Sequence, residues 1–246
     1  MHEYTLFING KAVLNLFSET FYTLPVMICI QLFSLSIAYL KKDKFRELRF
    51  FHVYLLASFC QTALLILSVM FFQKKIRILI GEMSINLFAV VEISFFYWLA
   101  LHVLERPHLK SILKYTFSAF MLYTFLSWLS TDAFFRYSVR TIMPETIVGL
   151  MIAGFYFLQS FNIAIKISLF DQPAFWINLG VLFLFSCTLP LTCLELLNKD
   201  FVHNNFYFYF INFISYSVLY LFIIRGYLCN RFNETVHSKT NLNWEF

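Results

Sequence analysis

Long apolar runs alternate with short polar segments along most of the chain. A hydrocarbon core about 30 Å thick requires about 20 apolar residues in a helix that rises 1.5 Å per residue. The pattern predicts seven transmembrane helices, over about residues 18-40, 51-72, 79-104, 111-129, 142-165, 175-197 and 206-228. We therefore expect an all-α polytopic membrane protein, with a seven-helix bundle over residues 1-228 and a short tail over 229-246.

Composition supports the membrane interpretation and excludes other classes. The 246 residues are 60% hydrophobic and only 13% charged, whereas soluble domains contain about 25% charged residues. Six Gly and five Pro, with long continuous apolar runs, argue against a β-barrel. The net charge of +5 belongs to loops beside the membrane, so we expect membrane lipids as partners and no nucleic acid.

Basic residues predict the orientation of the bundle. Alternate sides of the predicted bundle carry 12 and 7 of the 19 Lys and Arg residues, and the richer side of short loops stays cytoplasmic. The difference depends mainly on "KKDKFRELR", residues 41-49, which can also rest against anionic headgroups. We predict an external N-terminus and a cytoplasmic C-terminus.

One carboxyl group lies deep in an apolar run. Glu92 falls near the middle of the third predicted helix, where an acidic side chain costs about 2.5 to 3.5 kcal/mol on insertion scales. It is therefore expected to face the bundle interior and to accept hydrogen bonds across helices. The predicted partners are Tyr156 or Gln159 on helix five, or Asn212 on helix seven, with Asn86 on the same face as Glu92.

Helix five carries a matching polar stripe. At about 100° per residue, small and polar side chains align on one face of this helix: Glu145, Gly149, Ile152, Tyr156 and Gln159. Together with the residues above and an aromatic side chain that opens helix six, the stripe predicts a ligand-binding region within the bundle. Its candidate residues are Glu92, Asn86, Glu145, Tyr156, Gln159, Trp176 and Asn212.

No catalytic, metal or cofactor signature accompanies these residues. The five Cys show no metal-type spacing, and no haem, flavin or iron-sulfur pattern is found. Helix seven contains no Lys that could form a retinal Schiff base. We expect neither a cofactor nor a metal and a colourless protein, and we favour a protein without enzymatic activity over an enzyme.

Four blocks carry a family resemblance: "NLFAVVE" (86-92), "PETIVGLMIAGFYFLQSF" (144-161), "QPAFWINLGVLFLFS" (172-186) and "YFINFISYSVLYLFIIRGYL" (209-228). They resemble uncharacterised seven-helix membrane proteins of Bacteroidota-type bacteria, over about residues 80-228. The motif positions of that group correspond here to Asn86, Glu92, Glu145, Phe175, Trp176 and Ile177. The resemblance implies a bacterial inner-membrane location and a sensory or signalling role beside a separate partner such as a sensor kinase.

Three functional classes are compatible with the sequence. The first is a receptor-like or signalling-accessory protein that binds a small or lipidic ligand and acts through another chain. The second is a proton or small-solute pathway along the Glu92 face, because carboxyl groups at the bilayer midplane serve as relays. The third, less favoured, is an intramembrane lipid-modifying enzyme with Glu92 or Glu145 as acid/base, or His52 and His102 as metal ligands. Against this class, the sequence offers no third metal ligand and no Gly-x-Ser-x-Gly motif.

Overall fold

The computed structural model describes residues 10-41, 48, 51-131, 139-162, 169-197 and 206-229. Over these ranges the regular structure is entirely helical, as predicted. Seven long helices follow one another: α1 (Gly10–Lys41), α2 (Phe51–Phe71), α3 (Lys74–Val103), α4 (Pro107–Thr131), α5 (Val139–Asn162), α6 (Pro173–Leu197) and α7 (Phe206–Leu228). A 3₁₀ turn, Leu169–Asp171, precedes α6.

Six of the described helices are long and apolar enough to cross a membrane: α1, α2, α3, α5, α6 and α7. α4 has 25 residues, about the same length, but is less apolar and carries Lys110 and Lys114 near its start. Many large apolar side chains on the outer surface of the helices are exposed, as expected for a surface that faces lipid. This is the architecture of a multi-pass helical membrane protein.

The helices that can span a membrane form a closed ring. Its order is α1, α2, α3, α5, α6 and α7, and α7 packs back against α1. α4 lies outside this ring, packed mainly on α5 and less extensively on α3. The ring therefore encloses an interior to which six helices contribute side chains and α4 does not.

Close approach of α6 and α7, the most extensive helix pair, depends on a small residue. A Cβ atom at Gly180 would lie 3.0 Å from Leu219 Cδ1 and 3.1 Å from Phe222 Cβ. Without a driving force between apolar surfaces in lipid, helices associate through such close van der Waals packing. Gly180 thus lets α7 lie near enough to α6 to complete the ring.

One half of the ring interior is packed with apolar side chains. This packed half contains the C-terminal parts of α1, α3, α5 and α7 together with the starts of α2 and α6. It is closed by fully buried residues, among them Leu48, Leu99, Ile177, Ile223 and Tyr227. The Tyr227 hydroxyl donates to the Leu48 carbonyl at 3.1 Å, which attaches Leu48 to α7.

Three aromatic rings form the boundary of the packed half near the centre of the ring. We call Phe51, Phe96 and Phe185 the aromatic floor; ring centroids lie 6.2 Å apart both for Phe51 and Phe96 and for Phe96 and Phe185. A Cβ atom at Gly149 on α5 would overlap the Phe185 ring. The glycine therefore provides the space in which this ring lies.

Candidate ligand-binding cavity

Glu92 is fully buried, at 0% exposure, and both of its oxygens accept hydrogen bonds from other helices. The Tyr54 hydroxyl on α2 donates to Oε1 at 2.6 Å, and the Tyr216 hydroxyl on α7 donates to Oε2 at 3.0 Å. The predicted burial and interhelical hydrogen bonding of Glu92 are confirmed. These bonds join α3 to two helices on different sides of the ring.

The predicted identities of the partners were wrong for helix five. Tyr156 is 3.4 Å from Gln172 Oε1, and Gln159 Oε1 accepts from the backbone N–H of Glu105 at 2.7 Å. Residues that share a helix face have the same direction around the helix axis but different positions along it. At 1.5 Å per residue, Tyr156 lies about 16 Å further along the α5 axis than Glu145. Only the start of the α5 stripe reaches Glu92.

Glu145 is the member of that stripe that meets Glu92. It is 5% exposed, and its carboxyl group is hydrogen-bonded to that of Glu92. Two ionised carboxylates offer only acceptors, so a hydrogen bond between them requires a proton on one. The pair formed by Glu92 and Glu145 therefore holds at least one proton.

A second polar cluster lies beside the carboxyl pair. Gln31 on α1, 2% exposed, directs its Nε2 at Ser58 Oγ (3.1 Å), Thr62 Oγ1 (3.0 Å) and the Tyr220 hydroxyl (3.1 Å). Thr62 donates its own proton to the Ser58 carbonyl, so it can only accept from Gln31. This network is consistent with the amide nitrogen facing the three hydroxyl groups.

The carbonyl oxygen of the Gln31 amide is an unused hydrogen-bond acceptor. Gln31 Oε1 is buried and has no hydrogen-bond partner among the described residues. The Tyr220 hydroxyl contacts those of both Ser58 and Tyr54, and Tyr54 in turn bonds Glu92. One continuous polar network therefore runs from α1 through α2 and α7 to α3 and α5.

The network lines a cavity of about 300 Å³. It lies in the half of the ring that contains the starts of α3, α5 and α7, and Phe185 of the aromatic floor forms part of its wall. Three carboxyl groups line it: Glu92, Glu145 and Glu195. Other polar side chains on its wall are Ser58, Gln61, Thr62, Thr188, Thr192 and Asn212. Among the described residues that line it there is no Lys, Arg or His.

The structure brings together three of the seven predicted site residues: Glu92, Glu145 and Asn212 all line the cavity. Asn86 is buried on α3 but is not one of the lining residues. Trp176 lies in the packed half, where its Nε1 donates to the Phe170 carbonyl at 2.7 Å and the Arg225 guanidinium lies 5.2 Å from its ring.

Gln159 and Tyr156 also lie in the packed half, as parts of a connection between helices. Gln159 accepts from the backbone N–H groups of Glu105 and Arg106, at 2.7 and 3.3 Å, and its Nε2 lies 3.4 Å from the Val103 carbonyl. The amide thus binds the turn between α3 and α4 to α5. Its place in the fold is structural, remote from the cavity.

Sequence reasoning missed several cavity residues whose spacing carries a signal. Tyr54, Ser58 and Thr62 recur every four residues on α2, and Tyr216 and Tyr220 do so on α7. Such spacing places side chains on one helix face. In a membrane helix, a face of hydroxyl groups indicates contact with other helices or with a cavity.

The described residues do not form a metal centre: no group of three or more His, Cys, Asp or Glu side chains among them is arranged to hold an ion. His102, one of the ligands considered above, instead has its Nδ1 2.9 Å from the Trp98 carbonyl. The chemistry of the cavity is therefore that of carboxyl, amide and hydroxyl groups next to aromatic rings.

Fold and cavity together define a multi-pass helical membrane protein with an acidic cavity inside a six-helix ring. Compared with known proteins, the chain matches no family model, no curated protein sequence and no solved structure. The resemblance to seven-helix proteins of Bacteroidota-type bacteria therefore stays a prediction.

Proposed function

We propose that the protein is a receptor-like or signalling-accessory membrane protein that binds a small ligand in the cavity and acts through a separate cytoplasmic or membrane partner. The observation that carries this proposal is that the cavity ends inside the ring. It is lined by polar groups on one side of the aromatic floor, and buried apolar side chains fill the ring beyond it. A cavity that ends inside the bundle is suited to binding rather than conduction.

The hydrogen-bond network supplies a means of response. A ligand in the cavity would contact residues of six helices, and Glu92 alone connects α3 to α2, α5 and α7. A ligand shifts a conformational equilibrium only by its differential affinity for two arrangements. Competition for these hydrogen bonds would provide that difference and move the helices relative to one another, a common mode of switching.

We further propose seven crossings, with the N-terminus outside, the C-terminus in the cytoplasm and the cavity in the outer half, in a bacterial inner membrane. At 1.5 Å per residue the 25 residues of α4 extend about 37 Å, enough to cross. The distribution of basic residues supports this orientation. A C-terminal alkaline phosphatase fusion should be inactive and a C-terminal fluorescent protein bright; an active phosphatase would contradict the orientation.

A proton or small-solute pathway is the second candidate. The protonated pair formed by Glu145 and Glu92, deep in the bundle, is the arrangement that proton relays use. A pathway would require a polar continuation past the aromatic floor and through the packed half, whose described interior side chains are buried and mainly apolar. An intramembrane lipid-modifying enzyme that uses Glu92 or Glu145 as acid/base has less support, because the sequence lacks a Gly-x-Ser-x-Gly motif and the described residues form no metal centre.

Proteoliposomes distinguish the two leading candidates. Purified protein is reconstituted with a pH-sensitive dye inside the vesicles, and proton entry is followed after an external acid pulse with valinomycin and K⁺ present. The receptor proposal expects the rate of empty vesicles for the native chain and for Glu92→Gln. A faster rate in the native chain that disappears in Glu92→Gln, and persists in the control Glu82→Gln, would replace the receptor proposal with the pathway.

A further inference from the structure

We infer that the cavity binds a small organic ammonium ion that carries N–H groups, a protonated primary or secondary amine, between the carboxyl pair formed by Glu92 and Glu145 and the Oε1 atom of Gln31. This inference rests on the proposal that the cavity is a small-ligand site. It adds the chemical class of the ligand, which follows from charge, from an unused acceptor and from the shape of the lining.

The charge of the cavity selects a cation. Glu92, Glu145 and Glu195 line it, without a basic group among its described lining residues. Each of these carboxyl groups that ionises adds a negative charge to the cavity, and no described lining residue adds a positive one. Charge buried away from water needs an opposite charge nearby. An anionic ligand would meet repulsion from the same groups.

Gln31 provides an independent indication of the ligand. Its Oε1 is a buried acceptor without a partner among the described residues, while its Nε2 lies within hydrogen-bonding distance of the Ser58, Thr62 and Tyr220 hydroxyl groups. A buried carbonyl oxygen that lacks a donor is unfavourable. A ligand N–H group would satisfy it, which favours an amine with hydrogens on nitrogen over a quaternary ammonium.

The remaining lining indicates an organic rather than an inorganic cation. Aromatic rings of Phe88, Phe185, Tyr216 and Tyr220 form part of the wall, and such rings attract ammonium groups and pack against hydrocarbon. The volume of about 300 Å³ equals that of about ten water molecules at about 30 Å³ each. A ligand of about ten non-hydrogen atoms would occupy it, whereas a metal ion would not.

Three matched probes test the inference on the purified full chain in nanodiscs by isothermal titration calorimetry. They are 2-phenylethylamine, its neutral counterpart 2-phenylethanol, and its N,N,N-trimethyl derivative. We expect the amine to bind at least tenfold more tightly than the alcohol, because only the amine carries charge. The trimethyl derivative should be weaker than the amine, because it cannot donate to Gln31.

Variants assign the effect to the named groups. Glu92→Gln and Glu145→Gln should each weaken amine binding at least tenfold, whereas Glu82→Gln, on α3 but outside the cavity lining, should leave it unchanged. Gln31→Met keeps the volume of the side chain and removes the acceptor. It should weaken the amine and leave the trimethyl derivative unaffected, a pattern that a general loss of structure would not produce.

The outcomes separate this inference from the proposed function. If 2-phenylethanol binds as well as the amine, and the Glu→Gln variants do not alter binding, the cavity is a ligand site for neutral molecules and the inference is overturned while the receptor proposal stands. If none of the three probes binds, the inference is overturned as well. Should Glu92→Gln fail to fold, Glu145→Gln and Gln31→Met still decide the matter.

Discussion

Tyr54→Phe isolates a single hydrogen bond to the buried carboxyl group. The substitution removes the hydroxyl that lies 2.6 Å from Glu92 Oε1. The ring keeps its neighbours, since its centroid lies 5.0 Å from that of Phe51 and 5.3 Å from that of Phe96. Because the ring stays in place and no large cavity forms, the change in the free energy of unfolding measures the contribution of the hydroxyl group.

The expected loss of unfolding free energy is about 1.5 kcal/mol. Hydrogen bonds between membrane helices average about 0.6 kcal/mol and reach about 1.7 kcal/mol, whereas bonds to charged groups contribute about 1.5 to 3 kcal/mol in soluble proteins. A short bond to the fully buried carboxyl group of Glu92 belongs near the top of the membrane range. The Tyr54 hydroxyl also contacts Tyr220, which adds to the loss.

Reversible unfolding by SDS in mixed micelles, followed by tryptophan fluorescence, measures the difference. Tyr123→Phe is the matched control, because Tyr123 is exposed on α4 and its change should stay within about 0.5 kcal/mol. Repeating Tyr54→Phe in a Glu92→Leu background completes a double-mutant cycle. There the hydroxyl has lost its carboxyl acceptor, and its removal should cost only what its contact with Tyr220 contributes. Equal losses in both backgrounds would refute the proposed bond, since independent sites add within about 0.3 to 0.5 kcal/mol.

Two further substitutions test other contacts. Gly149→Ala places a methyl group against the Phe185 ring and should lower the unfolding free energy by about 1 to 3 kcal/mol through overpacking. The control Gly154→Ala, with no atom within 4 Å of the new Cβ, should leave the unfolding free energy unchanged. Equal effects of the two substitutions in SDS unfolding would contradict the tight contact at Gly149. Gln159→Leu removes the acceptor of the Glu105 and Arg106 N–H groups. Amide hydrogen exchange at these two residues should become about tenfold faster, which corresponds to a loss of about 1.4 kcal/mol, whereas exchange at Glu92 should not change. Unchanged exchange at Glu105 would show that the Gln159 amide does not hold the turn between α3 and α4.

The helices could be predicted because each depends on local composition. The apolar runs of α2 and α6 are long enough to identify by length alone. Burial of the acidic residue in the middle of α3 could also be predicted, because an acidic side chain that faces lipid is unfavourable. The predicted span at 111-129 corresponds to part of α4, whose lower apolarity agrees with its position outside the ring. That position could not be predicted, because it depends on how other helices pack.

The partners of Glu92 were harder to predict for a geometric reason. A helical projection gives the direction of each side chain but discards its height, and the relative heights of neighbouring helices depend on loops and packing. Tyr156 and Gln159 have the correct direction at the wrong height, whereas Tyr54 and Tyr216 were overlooked because aromatic residues are so abundant here, at 21% of the chain. The opposing positions of Gln31 and Tyr220 likewise arise only when the ring closes.

Closure of the ring also has a consequence for biosynthesis. Gln31 and Tyr220, whose side chains meet at 3.1 Å, are separated by 189 positions in sequence, and α1 packs directly on α7. During synthesis the chain emerges from its N-terminus, so α1 to α6 enter the membrane before the helix that completes the ring. Until then the Glu92 and Gln31 side chains lack the tyrosines of α7. The nascent chain therefore exposes its most polar intramembrane groups, and a chaperone or a water-filled insertion site would have to shield them until α7 arrives.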